Sequence, residues 1–130
     1  MKRFAIDTNI YSAFKTNDPA VVARFREAEE IVVCSTVHGE LLAGFKCGSR
    51  EQKNAADLEE FLDRPRVGYV TSDAATAEFY AEVFKQLRAN GSPIPTNDMW
   101  IAASAMQHGL AVCTRDEHFC CIKNLIIISP

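Results

Sequence analysis

Four acidic residues fall at comparable points along the chain, close to the ends of predicted strands or the starts of predicted helices. Asp7 follows the first strand, and Glu40 lies about one turn into the helix after the second strand. Asp98 opens a later helix, and Asp116 follows the fourth strand. In an open parallel sheet, the loops at the carboxyl ends of the strands form the ligand crevice. The four carboxylates are therefore expected to converge there.

Such a cluster needs a positive counter-charge, because carboxylates in one crevice repel one another unless they are protonated or neutralised. Their oxygens suit Mg²⁺, with Mn²⁺ as an alternative. A metal held by carboxylates that keeps some of its water is suited to phosphate-ester hydrolysis. Asn9 and Thr114 are candidates for orienting the acids or that water. These residues predict a nuclease or a phosphatase.

Each acid also has a purely structural interpretation. Asp7 could cap a following turn, and Asp98 could favour a helix amino terminus through the helix dipole. Glu40 could lie on a solvated helix face, although its neighbours Val37 and Leu41 are apolar and an unpaired carboxylate is costly in such surroundings.

The elements that would position these acids alternate between short β-branched strands and amphipathic helices. Strands are predicted at residues 3–6, 31–34, 67–70, 111–114 and 125–128. Helix starts are predicted at Asp18, at Ser35 or Thr36, at a capping box of Ser49 with Gln52, at Asp73 and at Asn97. The helix after Asp73 is expected to bury Ala77, Tyr80, Ala81, Phe84 and Leu87. This alternation predicts an α/β fold, a three-layer α/β/α sandwich with a central, mainly parallel sheet.

Composition excludes several classes of protein. The chain has 130 residues, of which 48% are hydrophobic, enough for a single domain over residues 1–130. Its 14 basic and 17 acidic residues give a net charge of −3, which argues against a basic protein that coats duplex nucleic acid. No segment approaches the roughly 20 apolar residues of a membrane span, and no signal peptide is recognisable. A soluble, cytoplasmic protein is expected.

The cysteines favour a reducing compartment, because five of them cannot all pair within one chain and none form a C-x-x-C motif. Cys34 and Cys113 lie in apolar strands and are expected in the core. A zinc site of Cys113, His118, Cys120 and Cys121 is disfavoured, since adjacent cysteines have poor ligand spacing. No role is assigned to Cys120 and Cys121.

Four short motifs mark the segments that contain the acids. They read AIDTNI from residue 5, GELLAG from residue 39, PTNDMWIAA from residue 95 and TRDEHF from residue 114. In this order and spacing, they resemble PIN-domain proteins of the VapC toxin type. The likeness extends from Arg3 to about Ser129, and its most specific part is N-D-x-x-I-A-A followed by T-R-D-x-H-F.

The resemblance implies a single-domain toxin of a toxin–antitoxin pair. Its implied reaction is endonucleolytic cleavage of single-stranded or looped RNA by in-line attack of a metal-activated water. The four acids match the family's acidic quartet, with Asp7 and Asp98 as direct metal ligands. Glu40 would bind metal or position the water, and Asp116 would hold a second metal or support the first through water. Mg²⁺ is the implied cofactor, with Mn²⁺ possible.

The family's supporting polar positions correspond to Asn9 and Thr114. The resemblance also implies a homodimer whose acidic clefts face a shared groove, and a VapB-like antitoxin whose carboxy-terminal segment lies in an apolar groove near the acidic site. Candidates for that groove are Leu41, Leu42, Phe45, Leu58, Phe61 and Leu62, about half of which are expected to be core residues instead.

Side chains that flank the acidic segments are candidates for RNA contacts. Basic residues of this kind more often lie on a solvated surface, and large aromatic residues are more often packed, than either contacts RNA. The candidates are Lys15, Lys46, Arg50, Lys53, Trp100, Arg115 and Phe119.

Three other functions are weighed against this one. A PIN fold without catalysis would bind RNA or a partner, and only activity separates it from a nuclease. A phospho-receiver domain expects paired acids after strand one and a lysine after strand five, where this chain has a single Asp7 and ends in Ser129-Pro130. A haloacid-dehalogenase-like phosphatase expects D-x-D after strand one, where Asn9 takes the second position.

Overall fold

The computed structural model describes residues 2–130, which form a five-stranded sheet with every neighbouring pair of strands parallel. The strands are β1 (Arg3–Ile6), β2 (Glu30–Cys34), β3 (Val67–Val70), β4 (Ala111–Cys113) and β5 (Ile127–Ile128). The helices are α1 (Thr8–Lys15), α2 (Pro19–Glu27), α3 (Ser35–Lys46), α4 (Glu51–Leu62), α5 (Ala74–Asn90) and α6 (Thr96–Gln107), and a 3₁₀ turn spans Glu117–Cys121. The predicted α/β class with a parallel sheet is confirmed.

The sheet is buried on both faces, because alternate residues of its central strands project into separate apolar clusters. Phe4 and Ile6 of β1 belong to the larger cluster, whereas Ala5 between them belongs to the smaller one with Val112 of β4. The predicted strand cysteine Cys34 is also buried, as is Cys113. Two covered faces make the three layers that the sequence predicts.

In the strand order β3-β2-β1-β4-β5, the side of the sheet on which new strands are added changes at β1. The chain adds β2 and then β3 on one side of β1, and afterwards crosses back to add β4 and β5 on the other side. Connections that leave β1 and β4 therefore diverge, and a crevice forms between the carboxyl ends of these two strands.

Three helices begin without the predicted side-chain caps. Cys34 is the residue directly before α3, so Ser35 and Thr36 are already helical. Helices α4 and α6 start after Arg50 and Pro95, neither of which provides a side-chain cap. The caps that are wrong are Ser35 or Thr36, the capping box of Ser49 with Gln52, and Asn97. The caps at Asp18 and Asp73 are confirmed by hydrogen bonds from backbone N–H groups.

Helix α1 is absent from the sequence prediction. Asp7 caps it by accepting a hydrogen bond from the N–H of Ile10 at 3.0 Å, and its buried residues are Ile10 and Tyr11. The helix has only eight residues, too short for a clear apolar periodicity. No helix within residues 2–130 is long and apolar enough to cross a membrane.

The predicted buried face of α5 is wrong in part, because apolar residues lie on two sides of this helix. Ala77 and Ala81 are exposed, and Phe84 is 46% exposed. Helix α5 is rotated so that Thr76 faces α6, where its hydroxyl donates a hydrogen bond to the side-chain oxygen of Gln107. The residues that α5 buries are Thr76, Val83 and Leu87.

An ion pair ties the start of α2 to the segment after β4. The guanidinium of Arg115 donates to both carboxylate oxygens of Asp18, at 2.7 and 3.0 Å. The same carboxylate caps α2 by accepting from the N–H of Ala20 at 3.1 Å. Hydrogen bonds from Arg115 lower the pKa of Asp18 to about 2.

We expect Asp18→Asn to lower the free energy of unfolding at neutral pH, with the difference from wild type shrinking in acid. The pKa of Asp18 is lowered from 3.8 to about 2 in the folded state, so its contribution is present above about pH 4 and is lost as the pH falls towards 2. Urea unfolding from pH 6 to pH 3 measures the difference. Arg115→Gln should reproduce the same pH profile, and a pH-independent difference would contradict this role.

Candidate metal-binding active site

Acidic side chains surround the crevice between β1 and β4, although Asp7 does not line its open cleft. Asp7 directly follows β1, and Asp116 lies three residues beyond the end of β4. Glu40, Asp98 and Asp116 line an open cleft of about 440 Å³ together with His118. Glu40 comes from α3, and Asp98 comes from the first turn of α6. Four different connections therefore supply the four acids.

Asp7 lies deepest, with 6% of the residue exposed. Its Oδ2 accepts a hydrogen bond from the hydroxyl of Thr114, and the Thr114 oxygen accepts in turn from the N–H of Asp116 at 2.9 Å. Thr114 thus links two acids that the sequence separates by more than a hundred residues. Asp7 also caps α1, so the structural role allowed for it by the sequence is confirmed.

Glu40 is held by both of its carboxylate oxygens. The hydroxyl of Thr8 donates to Oε1 at 2.6 Å, and the side-chain amide of Asn97 donates to Oε2 at 3.2 Å. Glu40 therefore faces the cleft rather than a freely solvated helix surface. Asn9, the predicted supporting residue, is exposed and has no hydrogen bond to the four acids within residues 2–130. Its neighbour Thr8 makes the contact instead.

The imidazole of His118 lies between the other two carboxylates. Its Nδ1 is 3.1 Å from Oδ2 of Asp98 and 3.1 Å from Oδ1 of Asp116. The N–H of His118 also donates to Oδ1 of Asp116 at 2.9 Å. One ligand atom from each of these three residues lies within 4.8 Å of the others, so the cluster could hold a metal ion.

Burial and mutual repulsion disfavour the charged forms of two acids. Burial raises the pKa of Asp7, and the charges of Asp116 and Glu40 raise it further, against hydrogen bonds from Thr114 and Ile10 that lower it. Burial likewise raises the pKa of Asp98, and Asp116 and Glu40 add to the effect, whereas the hydrogen bond with His118 lowers it. A bound cation would relieve this repulsion, and the carboxylate oxygens are ligands that suit hard divalent ions.

Sequence reasoning missed two side chains that hold the acids, Thr8 and Asn97, and it placed a third, His118, near Asp116 without assigning it a role. Thr8 stands beside Asp7, Asn97 stands beside Asp98, and His118 lies two residues after Asp116. Their adjacency to the acids was the available signal. Their partners depend on how α3, α6 and the 3₁₀ turn meet, which sequence spacing does not define.

The candidate RNA contacts are largely engaged in other contacts. Phe119 is fully buried, and Trp100 stacks on Tyr80 with ring centroids 4.1 Å apart. Most of the basic candidates are paired with carboxylates. The pairs are Lys15 and Lys53 with Asp57, Lys46 with Glu51, and Arg115 with Asp18.

The predicted groove residues divide equally between core and partial burial. Leu41, Leu58 and Phe61 belong to the core, as expected for about half of the set. The others are Leu42, Phe45 and Leu62, which are partly buried. The zinc alternative gains no support, because Cys113 is buried and both Cys120 and Cys121 are exposed.

Comparisons with known proteins give the same class as the fold and the acidic cleft. Residues 4–125 match the family model described as PIN domain. The chain is 28% identical to ribonuclease VapC4 of Mycobacterium tuberculosis, over 99% of this chain and 98% of that protein. It is 30% identical to the tRNA(fMet)-specific endonuclease VapC of Shigella flexneri, over 89% and 88%. The DNA-bound VapBC structure from Salmonella typhimurium superposes with a TM-score of 0.88 at 25% identity, covering 99% and 98% of the two chains.

The chain belongs to the PIN-domain family, since the family model covers most of its length. Within that family it is of the VapC type, the type of the curated relatives that match it nearly end to end. The resemblance drawn from the sequence motifs is confirmed.

We expect Asp98→Asn to raise the Tm of the metal-free protein by roughly 2–4 °C, because it removes a charge that burial and neighbouring carboxylates disfavour. Because the pKa of Asp98 is raised, its ionised carboxylate destabilises the folded state. This destabilisation is absent in acid and appears as the pH rises through that pKa. Thermal unfolding with a chelator at pH 7 measures the effect. Glu117→Gln, which removes an exposed charge from the 3₁₀ turn, should leave the Tm unchanged.

Added Mn²⁺ should reverse this order, because the wild type gains stability by binding the ion and the variant gains less. A variant that is less stable than the wild type in chelator, or that responds equally to the ion, would contradict the proposed electrostatic strain.

Proposed function

We propose that this protein is a toxin endoribonuclease of a toxin–antitoxin pair, which hydrolyses RNA phosphodiester bonds with the help of a divalent cation. The observation that supports this most is one cleft of a VapC-type PIN fold that Glu40, Asp98 and Asp116 line, with Asp7 buried nearby and linked to Asp116 through Thr114. Two curated relatives are named as a ribonuclease and as a tRNA-specific endonuclease.

The residues present fit a hard divalent cation, either Mg²⁺ or Mn²⁺. Asp7 and Asp98 are the proposed direct ligands, and Asp116 is proposed to hold the ion directly or through water. When bound, the ion would polarise a phosphoryl oxygen and lower the pKa of an attacking water. Glu40 would hold that water, because hydrogen bonds from Thr8 and Asn97 fix the direction of both its oxygens.

A VapB-like antitoxin is the proposed partner, since solved neighbours of this fold are VapBC complexes. An apolar cavity of about 570 Å³ opens between α1, α2 and α4, lined by Phe14, Phe25 and Phe61 and bordered by Arg26 and Arg64. This lining suits an acidic segment with apolar anchors. This cavity shares only Phe61 with the groove predicted from the sequence, and it lies near the start of β2 and β3, away from the acids. An antitoxin that fills it and also covers the cleft must extend along the molecule.

A second copy of the chain is the proposed occupant of the exposed face of α5. Phe84 is 46% exposed there, and Tyr80 of the same face stacks on Trp100 of α6. The adjoining pocket contains Phe84 and Thr96, and Thr96 also lines the acidic cleft. A dimer through this face would bring the two clefts towards a shared groove.

Cleavage of RNA tests the proposed activity directly. Purified protein, freed of any partner, should cleave structured RNA with Mg²⁺ or Mn²⁺ and should not cleave it with chelator. Asp7→Asn and Asp98→Asn should each slow cleavage at least about 100-fold, equivalent to about 2.7 kcal/mol in the barrier. Glu117→Gln should cleave at the wild-type rate. Equal cleavage by the aspartate variants, or none by the wild type, would refute the mechanism.

Phe84→Glu should convert a dimer into a monomer, because a charge would have to be buried in the apolar interface. Light scattering coupled to size-exclusion chromatography gives the mass of each species. Lys85→Glu, at the neighbouring exposed position of α5, serves as the control and should stay dimeric. A monomeric wild type at about 100 µM, a concentration well above that needed by standard interfaces, would refute the proposed dimer.

A further inference from the structure

His118 stands out because its ring nitrogen, a possible metal ligand, lies among carboxylate oxygens. Its Nδ1 is equally far, 3.1 Å, from one oxygen of Asp98 and one oxygen of Asp116. A single ring N–H points in one direction and cannot form two well-aligned hydrogen bonds at once. Nδ1 is hydrogen-bonded with Oδ2 of Asp98 and lies equally close to Oδ1 of Asp116 without a hydrogen bond to it, so three possible ligand atoms surround one point.

We propose that Nδ1 of His118 is a ligand of the divalent cation, together with Asp98 and Asp116, and that this ligand makes the site prefer Mn²⁺ to Mg²⁺. The inference rests on the proposed function, which supplies the cation but assigns its binding to carboxylates alone.

The spacing of the three donor atoms agrees with this assignment. Bonds of about 2.1 Å in octahedral geometry separate neighbouring ligand atoms by about 3.0 Å. The two distances from Nδ1 are both 3.1 Å, and the three donor atoms lie within 4.8 Å of one another. Binding a cation there would displace the hydrogen bond between Nδ1 of His118 and Oδ2 of Asp98 and would need little movement of the side chains.

The backbone around His118 fixes the donor in this position. Asp116 and His118 are joined by the hydrogen bond from the His118 N–H to Oδ1 of Asp116 at 2.9 Å. The next residue, Phe119, is fully buried and anchors the 3₁₀ turn in the core. At its other end, the turn is tied to α5 because the Gln86 amide donates to the carbonyl of Cys121 at 2.8 Å. The imidazole itself is 49% exposed, so an ion can reach it from the cleft.

The donor set determines the choice of cation. Mg²⁺ prefers oxygen ligands and gives up water reluctantly. Mn²⁺ accepts carboxylates as Mg²⁺ does and, as a first-row transition ion, also binds imidazole nitrogen. Replacing one water or carboxylate by imidazole therefore favours Mn²⁺.

Two measurements test the assignment on the full chain after removal of metal by a chelator. Calorimetric titration with Mn²⁺ and, separately, with Mg²⁺ gives the two affinities. Pulsed electron paramagnetic resonance of the Mn²⁺-loaded protein detects coupling to a directly bound ¹⁴N nucleus. Neither readout depends on RNA cleavage.

His118→Gln keeps a hydrogen-bonding side chain but removes the ring nitrogen. We expect it to weaken Mn²⁺ binding at least about tenfold, or about 1.4 kcal/mol, and Mg²⁺ binding by less than about threefold, with loss of the ¹⁴N coupling. His108→Gln is the matched control, because His108 is an exposed histidine at the carboxyl end of α6. It should leave both affinities and the coupling unchanged.

A wild-type spectrum without ¹⁴N coupling would overturn the assignment with no variant required. A parallel loss of affinity for both ions in His118→Gln, or no loss for Mn²⁺, would also overturn it. His118→Asp supplies an oxygen donor in place of nitrogen and should bind Mg²⁺ at least as tightly as the wild type, still without the coupling.

Failure of this inference is distinguishable from failure of the proposed function. If Asp98→Asn abolishes both cation binding and RNA cleavage while the wild type lacks ¹⁴N coupling, only the histidine assignment fails. If the wild type binds neither ion, or Asp98→Asn binds them equally well, the cation-dependent function fails with it.

Discussion

Electrostatic repulsion among the carboxylates of the cleft is the constraint on which the rest of the site depends. Asp7 and Asp98 are removed from water and lie near Glu40 and Asp116, which raises the pKa of both. The chain opposes this repulsion with donors from several elements, namely backbone N–H groups, a threonine hydroxyl, an amide and an imidazole. These donors meet only because the sheet reverses its strand order at β1 and opens a crevice there.

The strands could be predicted from short-range patterns, and so could the positions of Asp7 and Asp116 after β1 and β4. β-branched runs that end in a carboxylate, as at Asp7, place that carboxylate at the same edge of a parallel sheet in every case. Caps such as Asp18 are also local. The partners of Glu40 are different, because Thr8 and Asn97 reach it from helices distant in sequence. That meeting depends on how α1, α3 and α6 pack, which no local pattern encodes.

The orientation of α5 is a second feature that local sequence patterns do not predict. Apolar residues cover more than one face of this helix, so periodicity alone allows two rotations. The hydrogen bond from Thr76 to Gln107 and the burial of Val83 select one of them. Phe84 is then left at the surface. A polar contact between two helices thus decides which apolar residues remain available for a partner.

The distribution of charge explains how an acidic protein can act on a polyanion. Setting aside the four proposed site acids leaves 13 acidic and 14 basic residues, so the rest of the chain carries no net negative charge. Several of the neighbouring cations are already paired, as Arg115 is with Asp18, and offer little attraction for phosphate. The cleft alone would therefore repel RNA. Under the proposed function, a phosphodiester can approach the acids only after the cation has bound, which makes cation affinity, and hence the ligands that set it, a determinant of substrate binding as well as of chemistry.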